Sequence, residues 1–163
     1  MPATERAPLL VMGVGNLLRG DDGFGVRVIE HLAGQPLPAG VELLDAGTSI
    51  VDLIDELRGR RKLVVIDAVR GDQPAGTLYR FSPEQVDTAA VPADSLHQVG
   101  LLETLKLADL IDCRPTQTVV IGVQPAATGL GIGLSPAVDA AIEAAGRLVR
   151  RELDEALATL EQH

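Results

Sequence analysis

Two aspartates and one histidine, Asp22, Asp67 and His97, are the side chains of this sequence best suited to chemistry. Two carboxylates and an imidazole form a hard-to-borderline oxygen and nitrogen donor set, of the kind that takes zinc, nickel or manganese. The three lie far apart in the chain, so only a fold can bring them together. Asp22 ends the acidic pair in GVGNLLRGDDGFG, from Gly13 to Gly25, where two adjacent carboxylates sit on a glycine-rich turn. Helix starts favour negative charge, so either Asp21 or Asp22 is explained as a cap. One cap needs only one carboxylate, which leaves the other at the turn with no structural duty. Asp67 follows the apolar run Leu63–Ile66, and at such a strand terminus an unpaired carboxylate is costly. His97, in SLHQVG, stands at the start of a helical pattern, whereas His31 lies inside an earlier helix and His163 at the chain end. Asn16 and Asp45 are candidate substrate contacts beside them, although Asp45 before Ala-Gly-Thr also suits a local turn.

Strands must position these residues. Short apolar runs at Leu9–Val14, Val41–Leu44, Leu63–Ile66 and Val119–Val123 alternate with helical patterns, the rhythm of a parallel sheet covered on both faces. The spacing predicts an α/β fold: a three-layer α/β/α sandwich with a twisted, mostly parallel central sheet of about five strands. Residues Gly76–Phe81 alternate after a Gly-Asp-Gln-Pro turn and predict one antiparallel edge strand. Leu101, Leu105 and Ala108 mark a helix from near His97, and Val138 to Leu160 a long final helix with Ser135 as its cap. Between the last strand and that helix, Ala127–Gly133 reads as a flexible loop. In such sheets ligands bind beyond the carboxyl ends of the strands, where strand order reverses. Asn16, Asp22, Asp45 and Asp67 all fall at those ends.

At 163 residues the chain is expected to be one domain, 1–163, able to bury a full core. A net charge of −9 argues against nucleic acid or an anionic membrane as partner. The basic runs Arg60-Arg61-Lys62 and Arg150-Arg151 are expected near helix ends, on dipole grounds. No signal-peptide layout or membrane-length apolar run is present, so a cytoplasmic protein is expected. Cys113 is the only cysteine, which excludes an internal disulfide and a thiolate-rich metal site. A dinucleotide fingerprint fails because Leu18 stands where its third glycine belongs, and there is no Walker lysine, HExxH or GxSxG. Ser95 lies two residues before His97 but has no strained turn around it, which disfavours a serine nucleophile.

From Leu9 to the final helix the sequence resembles the hydrogenase maturation endopeptidases. The resemblance is carried by GVGNLLRGDDGFGVRVIE from Gly13, DAGTS from Asp45, LVVIDAV from Leu63 and SLHQVGLLETL from Ser95, in that order. IGVQP from Ile121 and GLSPAV from Gly133 add a weaker match. It implies an enzyme that trims the C-terminal extension of the nickel-iron hydrogenase large-subunit precursor after nickel insertion, finding the bond through the substrate's own nickel. It further implies that Asp22, Asp67 and His97 hold the metal and carry catalysis, Asp22 standing where some members have glutamate. Nickel would then arrive with the substrate, no cofactor would be tightly held, and the nickel-loaded precursor would be the partner, with at most a weak homo-oligomer. An assembly chaperone that senses nickel through the same three residues without cutting is the alternative. A peptide released from loaded precursor distinguishes the two.

Overall fold

The computed structural model describes residues 6–85 and 96–162, with the backbone alone at 96–99. Five strands form one sheet: β1 (Leu9–Val14), β2 (Val41–Gly47), β3 (Lys62–Ala68), β4 (Leu78–Phe81) and β5 (Gln117–Val123). Their order is β2-β1-β3-β5-β4, with β4 alone antiparallel, at the edge. The helices are α1 (Phe24–Ala33), α2 (Leu96–Leu110), the single turn α3 (Pro136–Asp139) and α4 (Ile142–Glu161). A 3-10 turn, Gly20–Gly23, joins β1 to α1, and a kinked 3-10 segment, Val51–Leu57, follows β2.

Period-two alternation along buried strands divides the core into two faces. Leu9, Val11, Val64, Ile66, Val119 and Ile121 pack against Phe24, Val28 and Leu32 of α1 and Val149 and Leu153 of α4. Leu10, Met12, Val14, Leu63, Val65 and Val120 face the other way, against Leu101, Leu105 and Ala108 of α2 and Ile50 and Leu57 of the 3-10 segment. This is the three-layer sandwich that the alternation predicts. Cys113 is buried in the second face as a free thiol. No helix among the described residues is long and apolar enough to cross a membrane.

Several details differ from the local reading. β2 and β3 extend far enough to include Asp45 and Asp67 as ladder residues, paired with Gly13 and Gly122. The final helix is broken: Ser135 precedes only the α3 turn, and α4 begins at Ile142. Ser135 makes no side-chain cap because its hydroxyl is drawn to Asp21. The basic run at Arg60 is only partly a helix-end feature. Arg60 does donate to the Glu56 carbonyl, but it is also buried against the Ala7 carbonyl and the Glu42 carboxylate, 2.6 Å away. Lys62 opens β3 and buries its ammonium 2.6 Å from Glu152 of α4, which also accepts from Arg80 of β4. Arg150 lies within α4 and donates to Gln35 and to the Pro36 carbonyl.

Candidate active site

The strand order reverses between β1 and β3, because β1 leads outward to β2 while β3 leads outward to β5. A crevice therefore opens beyond the carboxyl ends of these two neighbours. Gly13 near the end of β1 is in register with Ile66 of β3, so the segment Asn16–Asp22 and the residue Asp67 leave the sheet side by side. The 3-10 turn that carries Asp22 packs against β3. Two glycines make this approach feasible. A Cβ on Gly25 would lie 2.2 Å from the Ile66 carbonyl oxygen and 2.5 Å from that of Val14, so only glycine lets α1 start against both strands. Gly15 has φ of +143°, and a Cβ there would fall 1.8 Å from the Asp22 carbonyl oxygen. The chain thus folds back on itself at a spacing no larger residue permits.

The two adjacent aspartates divide the work. Asp21 is fully buried, and its carboxylate accepts from the amides of Ala126 (2.8 Å), Ala127 (2.9 Å) and Ser135 (2.7 Å) and from the Ser135 hydroxyl. Burial alone would raise its pKa. Those hydrogen bonds outweigh it and hold the carboxyl below the ordinary aspartate value of 3.8. Asp22 is half-buried, and its Oδ2 accepts from the Asn16 amide at 2.9 Å. Neither side chain caps the turn or α1, so the capping expectation gives way to a long-range tether at Asp21. Asn16 itself is drawn into the turn: its Oδ1 accepts from the Leu18 amide and its carbonyl from that of Arg19.

Asp67 is buried, with Oδ1 accepting from the Ala68 amide at 2.8 Å. It stands two residues beyond Val65, on the sheet face that α2 covers. α2 leads into β5, which runs parallel to β3, so its first turn lies at the carboxyl end of the sheet. His97 is the second residue of that helix; its side chain lies outside the described residues, as does all of Ser95. The backbone therefore brings the three candidate segments to one end of the molecule. Among the described residues no three His, Cys, Asp or Glu side chains form a group able to hold a metal ion, and the His97 imidazole is not among them.

Asp45 stands apart. It is exposed, its Oδ1 accepts from the Gly47 amide in a local turn, and its register partner Gly13 separates it from Ile66. Two strand spacings put it roughly 10 Å from β3 at the same end of the sheet. A cavity of about 360 Å³ is lined by Leu9, Lys62 and Gln117, the first residues of their strands, at the far end of the sheet.

Local periodicity did not reveal the tether at Asp21 or the order in Ala127–Gly133. That segment is pinned rather than free: Gly131 pairs with Arg19 in a parallel bridge, donating to Leu18 and accepting from Gly20. The acidic doublet was the one available signal, since a single cap left one carboxylate unexplained.

Comparison with known proteins gives a consistent result. A sequence model of hydrogenase maturation proteases matches residues 26–152. The chain is 38% identical over 156 residues to the hydrogenase expression/formation protein HupD of Rhodobacter capsulatus, covering 94% of this chain and 74% of that one. To the hydrogenase 2 maturation protease of Escherichia coli K12 it is 36% identical over 139 residues, covering 84% and 85%. It is 42% identical to HupD of Thiocapsa roseopersicina, although it spans only about half (54%) of that protein's length. The fold superimposes on the E. coli hydrogenase maturating endopeptidase HybD with a TM-score of 0.83 at 35% identity, over 91% of this chain and 93% of that one.

Proposed function

The chain belongs to the hydrogenase maturation protease family, and from that premise we propose that it trims the C-terminal extension of a nickel-iron hydrogenase large-subunit precursor once nickel is in place. The observation that supports this reading is that the Asp22 turn and the end of β3 at Asp67 leave the sheet side by side at the β1/β3 reversal, while α2, which begins next to His97, covers the sheet face that carries Asp67. In this reading nickel is part of the substrate, already bound by the precursor, and the work is done in the cytoplasm.

Asp22, Asp67 and His97 complete the coordination of that cation through two oxygens and one nitrogen. They offer no thiolate with which to retain it. Gripping the nickel fixes the neighbouring peptide bond at the crevice, so an encounter between chains becomes an oriented, effectively intramolecular reaction. A water activated by the metal or by an aspartate attacks the carbonyl, and its proton passes to the leaving amine. The Asn16 main chain holds the Asp22 carboxylate in place, and amides of the glycine-rich turn stand ready to stabilise the oxyanion. Asp45 contacts the substrate further along the same rim.

The test is a cleavage assay with purified precursor, nickel-loaded and nickel-free. Wild-type protein releases a C-terminal peptide only from the loaded form. Asp22→Asn, Asp67→Asn and His97→Ala melt like wild type and release none. Equal trimming without nickel overturns the recognition scheme, and equal trimming by the variants overturns the residue assignment. Binding without peptide release returns the chain to the assembly-chaperone class.

A further inference from the structure

The ladder between β1 and β3 ends at the pair Gly13 and Ile66, short of both Asp22 and Asp67. Beyond it, the segment that follows β5 touches both exits. On the β3 side, the Val69 amide donates to the Val123 carbonyl at 2.9 Å, the Gly71 amide to Gln124 Oε1 at 2.8 Å, and Arg70 Nη2 to Thr128 Oγ1 at 2.7 Å. On the side of the Asp22 turn, the Asp21 carboxylate accepts from the amides of Ala126 and Ala127, and the Asp21 amide donates back to the Ala127 carbonyl at 2.9 Å. The stretch from Gln124 to Thr128 is thus a strut between the two aspartate-bearing exits.

Gln124 is its joint. The half-buried side chain accepts through Oε1 from the Tyr79 hydroxyl at 2.6 Å as well as from Gly71, while its amide donates to the Thr77 carbonyl and its own carbonyl accepts from Gly76. Both ends of the residue are therefore held. The buried Pro125 comes next, and its ring fixes φ, which stiffens the passage from Gln124 to Ala126. At Gly71 the approach is close: a Cβ there would lie 2.5 Å from the Tyr79 hydroxyl oxygen. Gly71 stands four residues beyond Asp67, and Asp21 is the neighbour of Asp22.

We propose that Gln124 and Thr128 are positioning residues for the trimming reaction: they brace the exit of β3 against the segment that Asp21 anchors, and so set the separation of Asp67 from Asp22. The inference rests on the proteolytic reading. A carboxylate on a loosened segment still reaches a cation, so binding survives loss of the brace. What is lost is the fixed placement of the peptide bond against the attacking water.

Steady-state trimming of nickel-loaded precursor tests it, at a temperature where circular dichroism shows each variant folded. Gln124→Met removes the acceptor and keeps the length of the side chain; it lowers kcat by about tenfold or more, with KM within about twofold of wild type. Gln124→Glu keeps an acceptor oxygen for Gly71 and holds kcat within about threefold of wild type. Thr128→Val cuts only the bond from Arg70, lowers kcat by about threefold, and is the independent reading should Gln124→Met fail to fold. A Gln124→Met protein with a lowered Tm and a wild-type kcat overturns the proposal, as does a loss confined to KM, or a Gln124→Glu protein as slow as Gln124→Met. Where Gln124→Met does not fold, a wild-type kcat in Thr128→Val overturns it. Each of these results leaves the proteolytic reading intact, because wild type cuts normally. A wild-type protein that releases no peptide overturns that reading and the positioning role with it.

Discussion

Ser135 gives both its amide and its hydroxyl to the Asp21 carboxylate, at 2.7 Å and 2.8 Å, across 114 residues of sequence. Through this contact the turn after the first strand and the segment before the last helices become one rigid piece. The neighbouring Asp22 takes no part in it and accepts instead from the Asn16 amide within the turn.

Replacing Asp21 by Ala should destabilise the protein by roughly 3 kcal/mol, since three amides and a hydroxyl lose a buried charged acceptor. Ser135→Ala should cost about 1 kcal/mol, because the amide bonds remain. Urea unfolding measures both. Equal losses would show that the hydroxyl, not the carboxylate, anchors the tether.

Acid should weaken the fold in a defined window. Burial raises the pKa of Glu152, but Arg80 and Lys62 more than reverse this, and its carboxyl ends below the ordinary 4.5, as Asp21 ends below 3.8. Between the folded and unfolded values the unfolded chain binds more protons, so stability rises with pH there. The contribution is fully present above about pH 5 and is lost as pH falls through 4 and below. Unfolding free energies at pH 7, 5, 4 and 3 should decline only over the last steps, and less steeply in Asp21→Asn. A flat profile would contradict the assignment.

Gly25→Ala and Gly15→Ala should each impair the fold at the crevice. The added methyl meets backbone rather than a flexible side chain, the carbonyls of Ile66 and Val14 in one case and of Asp22 in the other. Relief requires α1 or the turn to move, which shifts Asp22 away from β3. Loss of trimming together with a drop of several degrees in Tm is expected, read by calorimetry beside the cleavage assay. Gly129→Ala, where nothing lies within 4 Å and φ is not positive, is the control and should change neither.

Lys62→Met should destabilise by about 3 kcal/mol by leaving Glu152 buried beside Arg80 alone. The double replacement Lys62→Met/Glu152→Leu should recover most of that loss, because an apolar pair of similar volume carries no desolvation cost. Thermal melts of wild type and the two variants measure both changes. A double variant no more stable than Lys62→Met would mean that the pair is worth more than its burial costs.

Residue order alone determined the element types and the core. Leu9–Val14, Leu63–Ile66 and Val119–Val123 are short apolar runs that cannot be amphipathic helices of that length, and the alternating helical patterns require a parallel sheet between layers. It also singled out Asp22 and Asp67, whose carboxylates in the fold accept from the nearby Asn16 and Ala68 amides. What it left undecided was every pairing made across the sheet. Which aspartate of the doublet is the tether, why Ser135 does not cap, why Lys62 is buried and how Ala127–Gly133 is held all depend on partners about 90 to 115 residues away. Propensity and periodicity act over a few residues, whereas a buried carboxylate takes whatever donors the assembled layers present to it. The strands and helices follow from the local pattern. The division of labour between Asp21 and Asp22 follows from tertiary hydrogen bonding alone.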